Sequence, residues 1–289
     1  MITEVAEHMK IGFIGAGKVG VSLGKYFSIH GVSLSGYASR HESSAKEAAQ
    51  FTNSNVYSQY VDLIADSDMI FLTVTDGAIA SVWDSIKELP IIIKDKIFCH
   101  CSGSLSSGIF SEIEQYGAFG YSLHPLFAIH SKQTSYKDLS KTLFTLEGNQ
   151  KHLPDIKALI EGLGNRVQII PTETKTKYHA AAVFASNHVV ALAKVSMDLL
   201  QQCGFSSEDA LSAITPLITG NVAHITETGP NGALTGPVER NDVTTVEKHI
   251  SCLSGDYEKL YKELTNVLIS IGQEKHPDED YGPMTGIVR

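Results

Sequence analysis

Positive charge is in short supply in this chain of 289 residues: 23 Lys and Arg stand against 32 Asp and Glu, a formal net charge of -9 with no long basic run. That balance gives phosphodiester backbones and anionic bilayers nothing to hold, so neither nucleic acid nor membrane is an expected partner. Long hydrophobic runs are missing too. The most apolar segment, 180–195, is interrupted by Ser186, Asn187, His188 and Lys194, short of the roughly 20 residues that span a bilayer. The first eight residues, M-I-T-E-V-A-E-H, lack the basic-then-apolar order of a secretory signal. Cys99, Cys101, Cys203 and Cys252 are too scattered for a disulfide framework and read as free thiols of a reducing, cytoplasmic compartment. In C-H-C at 99–101, strand alternation sends the thiols to one face and the imidazole to the other. No second ligand cluster follows, so no metal site is expected.

What is present begins with K-I-G-F-I-G-A-G-K-V-G, residues 10–20. Largely apolar residues run into Gly15-Ala16-Gly17-Lys18-Val19-Gly20, and a helical pattern continues to His30. Strand, glycine turn and helix thus follow in the order of a dinucleotide site. Gly15 permits the tight turn, Gly17 leaves room for a pyrophosphate, and Gly20 lets the helix lie close to the strand. The pyrophosphate is expected at the helix N-terminus, where unpaired N–H groups and the dipole favour an anion. A second strand, 32–37, ends in Ala38-Ser39-Arg40. NAD sites place an acid here for the ribose 2′-hydroxyl, whereas a hydroxyl and a guanidinium suit a 2′-phosphate. NADP is therefore the expected cofactor. Glu42 keeps NAD open, and deazaflavin is a further alternative.

Strands expected at 69–74, 96–101, 118–122, 142–146 and 166–170 alternate with helices at 42–52, 61–65, 78–88 and 153–163. This is the pattern of an α/β, Rossmann-type doubly wound, mostly parallel sheet, assigned to a first domain of residues 1–170. Ligands in such sheets lie beyond the carboxyl ends of the strands, so Thr73, Val74 and Thr75 should approach the cofactor, with Asp76 capping the next helix. Ser102 and Gly103 should reach the nicotinamide end, Ser102 offering its hydroxyl or capping the helix that follows. His124, held extended by Pro125, is expected at a sheet edge as an acid or base in the crevice, or as a structural histidine.

After Pro171 the pattern turns all-helical, giving a second domain of 171–289. One long helix is expected over 176–202. Its Asn187 amide, read as buried, needs a cofactor, substrate or helix partner, and His179 lies two turns earlier along the same cleft. A helix ending near Glu227 leads to the loop G-P-N-G-A-L-T-G-P-V-E-R-N-D, 229–242. Its chemical residues are Thr235, Arg240 and Asp242: Arg240 clamps an anion or forms a surface pair, and Asp242 binds substrate or caps helix 243–253. A helix at 257–273 and a polar tail from Glu274 complete the chain.

The glycine motif with Ala38-Ser39-Arg40, H-C-S-G-S (100–104) with S-L-H-P-L (122–126), and Y-H-A-A-A-V-F-A-S-N (178–187) with A-L-T-G-P-V-E-R-N-D (233–242) form a combination. It resembles NADP oxidoreductase-like proteins that join a Rossmann domain to a helical C-terminal domain of unassigned function, over residues 10–271. Such proteins look like relatives of 6-phosphogluconate dehydrogenase, ketopantoate reductase and pyrroline-5-carboxylate reductase. The resemblance implies NADP-linked hydride transfer between domains and a homodimer through the helical domain.

On this reading His124 and Asn187 are the catalytic candidates, with Ser102, His179, Thr235, Arg240 and Asp242 at the substrate. Gly15, Ala16, Gly17, Lys18, Val19, Gly20, Ser39, Arg40, Thr73, Val74, Thr75, Ser102 and Gly103 hold the cofactor. Two positions depart from the pattern. β-Hydroxyacid dehydrogenases carry a lysine four residues before the cleft asparagine, where this chain has Val183, and a loop that often reads R-G-D is here Arg240-Asn241-Asp242. The expected substrate is a small polar carbonyl, imine or hydroxy compound; the alternative is a non-catalytic NADP-binding sensor or interaction protein.

Overall fold

The computed structural model describes residues 9–289, and the reading of the first eight lies outside the described residues. Short runs, several of them rich in β-branched or aromatic residues, make the strands, which are buried inside the sheet and largely exposed at its two edges. They are β1 (Ile11–Ile14), β2 (Leu34–Ala38), β3 (Asn55–Tyr57), β4 (Met69–Leu72), β5 (Ile97–His100), β6 (Phe119–Pro125), β7 (Leu143–Gly148) and β8 (Arg166–Ile169). They form one sheet in the order β3-β2-β1-β4-β5-β6-β7-β8. The first six are parallel, β7 is antiparallel to β6, and β8 is parallel to β7. This is the expected doubly wound sheet, and its strand order reverses between β1 and β4, where such sheets bind ligands. Edge strand β3 is short and largely exposed; without an apolar pattern it gives no sequence signal.

Helices α1 (Lys18–Ile29), α2 (Glu42–Thr52), α3 (Tyr60–Ala65), α4 (Asp76–Lys87) and α5 (Leu153–Gly162) accompany the strands. One apolar layer contains Phe13, Phe27, Phe71, Cys99, Tyr121, Leu123 and Phe144; the other contains Ile70, Leu72, Trp83, Phe98 and Phe110. Cys99 belongs to the first layer, while the His100 ring lies 5.5 Å from that of Phe110 in the second. The alternation expected of C-H-C is thus observed. β6 behaves the same way: Tyr121 and Leu123 enter the first layer, which turns Ser122 and His124 to the opposite face.

The chain divides into two compact units, Met1–Phe184 and Ala185–Arg289. Helix α6 (Lys175–Ala185) therefore goes with the sheet, because Lys175 and Tyr178 bond to β6. The single helix expected over 176–202 is two: Ser186, at φ -127° and ψ -77°, separates α6 from α7 (Asn187–Gln202). Against the expectation of no spanning segment, the 31-residue stretch Thr172–Gln202 contains an 18-residue window of mean hydropathy 1.3 and qualifies by length and composition. The break leaves helices of 11 and 16 residues, about 17 and 24 Å long at 1.5 Å per residue, each under the ~30 Å of a hydrocarbon core.

The second unit comprises α7, α8 (Ser207–Ala233), α9 (Val243–Cys252), α10 (Gly255–Lys275) and α11 (Gly282–Val288). Ser206 caps α8, its hydroxyl accepting the Asp209 N–H at 3.0 Å. α8 continues past Glu227 through a non-helical Gly229 at φ 73°. The polar tail is also corrected. Residues after Glu274 finish α10, turn, and return as α11, whose Met284 and Val288 join Val238, Val246, Ile269 and Tyr281 in a common core. Polar residues dominate the connecting turn and conceal two apolar anchors one helical turn apart. Met284→Ala empties a fully buried site and is expected to destabilise the chain by about 2–5 kcal/mol, read as a lower urea midpoint.

Candidate functional site

The glycine turn is built by contact with β4. Gly15 adopts φ 109°, and a Cβ there would lie 2.7 Å from the Thr73 carbonyl, while one at Gly20 would overlap Thr73 Oγ1. Thr73 donates that hydroxyl to the Gly15 carbonyl at 2.8 Å, so Thr73 fastens the turn. Gly17 is exposed and its Cβ position meets nothing closer than 3.6 Å; it is the N-cap of α1, with no side-chain cap and no acid in the first turn. An uncapped helix start facing outward is chemically fit for a pyrophosphate. The Gly15 N–H donates to the Ala38 carbonyl at 2.8 Å, which brings Ser39 and Arg40 beside the turn. Arg40 is exposed and forms no ion pair among the described residues, whereas Glu42 pairs with Lys46 at 2.8 Å.

After β5, Ser102 is saturated. Its N–H donates to His100 Nδ1 at 3.2 Å, its hydroxyl donates to Asp76 at 2.7 Å and accepts the N–H groups of Ser104 and Leu105, and its carbonyl accepts from Ser122. A hydroxyl has one proton, and here Asp76 holds it. Ser102 therefore organises the turn and caps no helix, because the next helical turn, Ser107–Ile109, has Ser106 as its N-cap. Asp76 does not cap α4: Thr75 is the N-cap, and Asp76 instead gathers the Ser102 and Ser104 hydroxyls. His100 Nε2 lies 3.1 Å from the Ser106 carbonyl while Nδ1 accepts an N–H, a pairing that requires the neutral Nε2–H tautomer. Burial holds its pKa down at about 4.

The turn presses Gly103 against two imidazoles. A Cβ there would lie 2.5 Å from His179 Cδ2 and 3.0 Å from His124 Nε2, so only glycine allows both rings this close. His124 is not at a sheet edge as expected. It pairs with Thr145 of β7, and the β5 pairing ends at Ser122, so the residue runs past the carboxyl end of β5 inside the sheet. Its Nδ1 lies 2.7 Å from Tyr178 Oη. Burial, then the Lys175 ammonium and His179, lower its pKa to about 4.

Lys175 and Tyr178 were not singled out from sequence. Lys175 is 1% exposed, and its Nζ donates to Ser122 Oγ at 2.7 Å. Burial lowers its pKa, with nearby Glu147 opposing. Glu147, equally buried, accepts from the Ser107 N–H and hydroxyl and from Thr172. A lysine in T-K-T-K at a helix start looks solvated. The available signal was polar alternation, Ser122 and His124 opposite Glu147 and Thr145, in strands otherwise apolar.

The remaining candidates lie in the second unit. Asn187 is exposed, not buried; it begins α7 and accepts from the Ser186 hydroxyl at 3.0 Å. Thr235 and Arg240 are exposed. Asp242 caps α9, accepting the Thr245 N–H at 3.1 Å and its hydroxyl at 2.7 Å, and these bonds hold its pKa down. Asn241 takes φ 53°, the left-handed region that glycine and asparagine tolerate, and its amide donates to the Asp280 carbonyl at 2.9 Å. Asparagine therefore fits this turn. Among the described residues no hydrogen bond or ion pair joins Asn187 to Thr235, Arg240 or Asp242.

Residues 4–125 match the model of a Rossmann-like domain, and residues 142–267 that of a domain of unknown function, DUF2520. A protein from Thermotoga maritima is 28% identical with a TM-score of 0.72, the match covering 92% of this chain and 99% of that one. A candidate NADP oxidoreductase from Bacteroides fragilis is 24% identical with a TM-score of 0.68, again covering 92% and 99%. Pyrroline carboxylate reductase from Plasmodium falciparum, solved with NADP bound, is 16% identical with a TM-score of 0.58, covering 93% and 98%. No curated protein matches.

The histidines make stability depend on pH. Unfolded His100 takes up a proton below its ordinary 6.5, whereas the folded group resists down to about 4. Its stabilisation is therefore complete above pH 6.5 and is lost as the pH falls through 4, a change of about 3 kcal/mol. Urea midpoints are expected to drop across this window, and His100→Asn, whose amide can still donate and accept, should flatten the decline.

Proposed function

We propose that this chain, a Rossmann-like domain followed by a DUF2520 domain, is an NADP-dependent oxidoreductase acting on a small polar carbonyl, imine or hydroxy compound. The observation that carries this reading is a row of strand ends. Arg40 follows β2, the glycine turn follows β1, Thr73 to Asp76 follow β4, Ser102 to Ser104 follow β5, and His124 lies on β6. These five strands are consecutive neighbours, so the row measures about 19 Å at ~4.8 Å per strand. An uncapped helix start and a guanidinium with no ion pair among the described residues occupy one end, and a proton-transfer group the other.

The residues present fit the cofactor. Gly15, Ala16, Gly17, Lys18, Val19 and Gly20 would hold its pyrophosphate, Ser39 and Arg40 its 2′-phosphate, and Thr73 to Thr75 would line the path to Gly103. When bound, NADP(H) donates or accepts the hydride. The protein orients the reacting group against Gly103 and moves a proton at His124 Nε2. The exposed free thiols Cys203 and Cys252 suit a reducing, cytoplasmic setting.

Calorimetry is expected to show NADPH binding 10–100-fold tighter than NADH, the worth of a charge-assisted phosphate contact, and Arg40→Ala should erase that preference. NADPH should be oxidised in the presence of keto acids, aldehydes or imines. Failure to bind either nucleotide would sink the proposal; tight binding without oxidation across a broad panel would mark a sensor.

The expected protein partner is a second copy. Val190 on α7, Leu217 on α8 and Val267 on α10 are 71%, 66% and 59% exposed, an apolar display on helices that pack on one another. Sedimentation should give a dimer mass, and charge introduced by Leu217→Lys should shift it toward monomer.

A further inference from the structure

We propose that Tyr178 is the proton source behind His124 and that Lys175 is the buried charge that allows it, so that Tyr178, His124 and Lys175 form one relay. The inference rests on the oxidoreductase reading and extends it to groups on α6.

The geometry is directional. His124 has one nitrogen bonded to Tyr178 Oη at 2.7 Å and the other turned to Gly103. The two rings stand nearly edge to face, 81° apart with centroids at 5.7 Å. Lys175 Nζ lies 5.5 Å from the centre of the Tyr178 ring and is tied to Ser122, two residues before His124 on the same strand face. The groups around His124 are Ser122 on its own strand, Thr145 on β7, Lys175, Tyr178 and His179 on α6, His100 on β5, and Asp76 on α4. A cationic His124 would face Lys175 across this site, and Asp76 is already engaged by two serine hydroxyls.

A neutral imidazole is a poor acid by itself, so His124 needs a second group to act as a donor. When a carbonyl or imine accepts a hydride from the reduced nicotinamide, its oxygen or nitrogen gains the displaced electron pair and takes one proton. That proton leaves His124 Nε2. Nδ1 takes the Tyr178 hydroxyl proton in the same event, so the imidazole stays neutral with its hydrogen on the other nitrogen. The negative charge comes to rest on the tyrosine, whose ring centre lies 5.5 Å from Lys175 Nζ, until water returns the proton. Oxidation of a hydroxy compound runs the same transfers backwards. Tyr178 acts through His124 and is a positioning residue, as is Lys175.

Two measurements test this separately from the cofactor reading. In nitrogen-15 spectra of the intact protein at pH 7, His124 should be neutral with its hydrogen on Nε2. An imidazolium or an Nδ1–H form overturns the relay whether or not a substrate is known. Lys175→Met should raise the His124 titration midpoint, and an unchanged midpoint removes Lys175 from the relay. Given a turned-over substrate, Tyr178→Phe should lower kcat at least 100-fold with KM changed less than threefold, and NADPH binding should survive. Tyr261→Phe, which breaks a similar tyrosine–histidine bond between Tyr261 and His249, should leave kcat unchanged. Equal kcat in Tyr178→Phe and the parent overturns the proposal. Absence of any NADPH oxidation defeats the oxidoreductase reading instead, and the tautomer still decides the relay.

Discussion

Burying the Lys175 ammonium is the most demanding arrangement in the first unit. Taking such a group out of water costs several kcal/mol even after relaxation, and no carboxylate forms an ion pair with it among the described residues. It is retained by a chain of polar contacts. Nζ donates to Ser122, Ser122 to the Ser102 carbonyl, and Ser102 to Asp76. That chain links α6, β6, the turn after β5 and α4 through one residue each. Gly103 is thereby held where only hydrogen fits between His124 and His179.

The same contacts separate the two histidines chemically. His100 spends both nitrogens on backbone groups, so it fixes a turn and has nothing left for a ligand. His124 spends one nitrogen on Tyr178 and turns the other toward Gly103. Both have pKa values of about 4 through burial, yet of the two His124 alone turns a nitrogen toward Gly103. Depressed basicity alone does not distinguish a structural from a reactive imidazole; the hydrogen-bond partners do.

The glycine turn is simpler because it is mostly backbone. Gly15 and Gly20 allow α1 to approach Thr73, and the uncapped start of that helix needs no particular side chain. Spacing of glycines in a single segment is enough to specify such a turn, which is why its geometry is legible in residues 10–20. The cluster around Gly103 draws its groups from α4, the turn after β5, β6, β7 and α6. Residues far apart in the chain carry no joint pattern until the strands pair.

By itself, the sequence determined the alternation of strands and helices, the glycine turn, Arg40 in place of an acid, and His124 near the end of its strand. Each follows from local geometry: side-chain period, backbone freedom, or charge at a fixed offset from a motif. It misjudged Asn187 as buried, the 176–202 stretch as one helix and the C-terminus as a tail, since burial and helix continuity depend on what packs alongside. Only the tertiary structure decided that Ser102 is saturated, that Asp76 binds serines instead of capping, and that Lys175 and Tyr178 stand behind Ser122 and His124. Those outcomes depend on which buried donors find which acceptors, and such pairings are settled across the sheet and not along the chain.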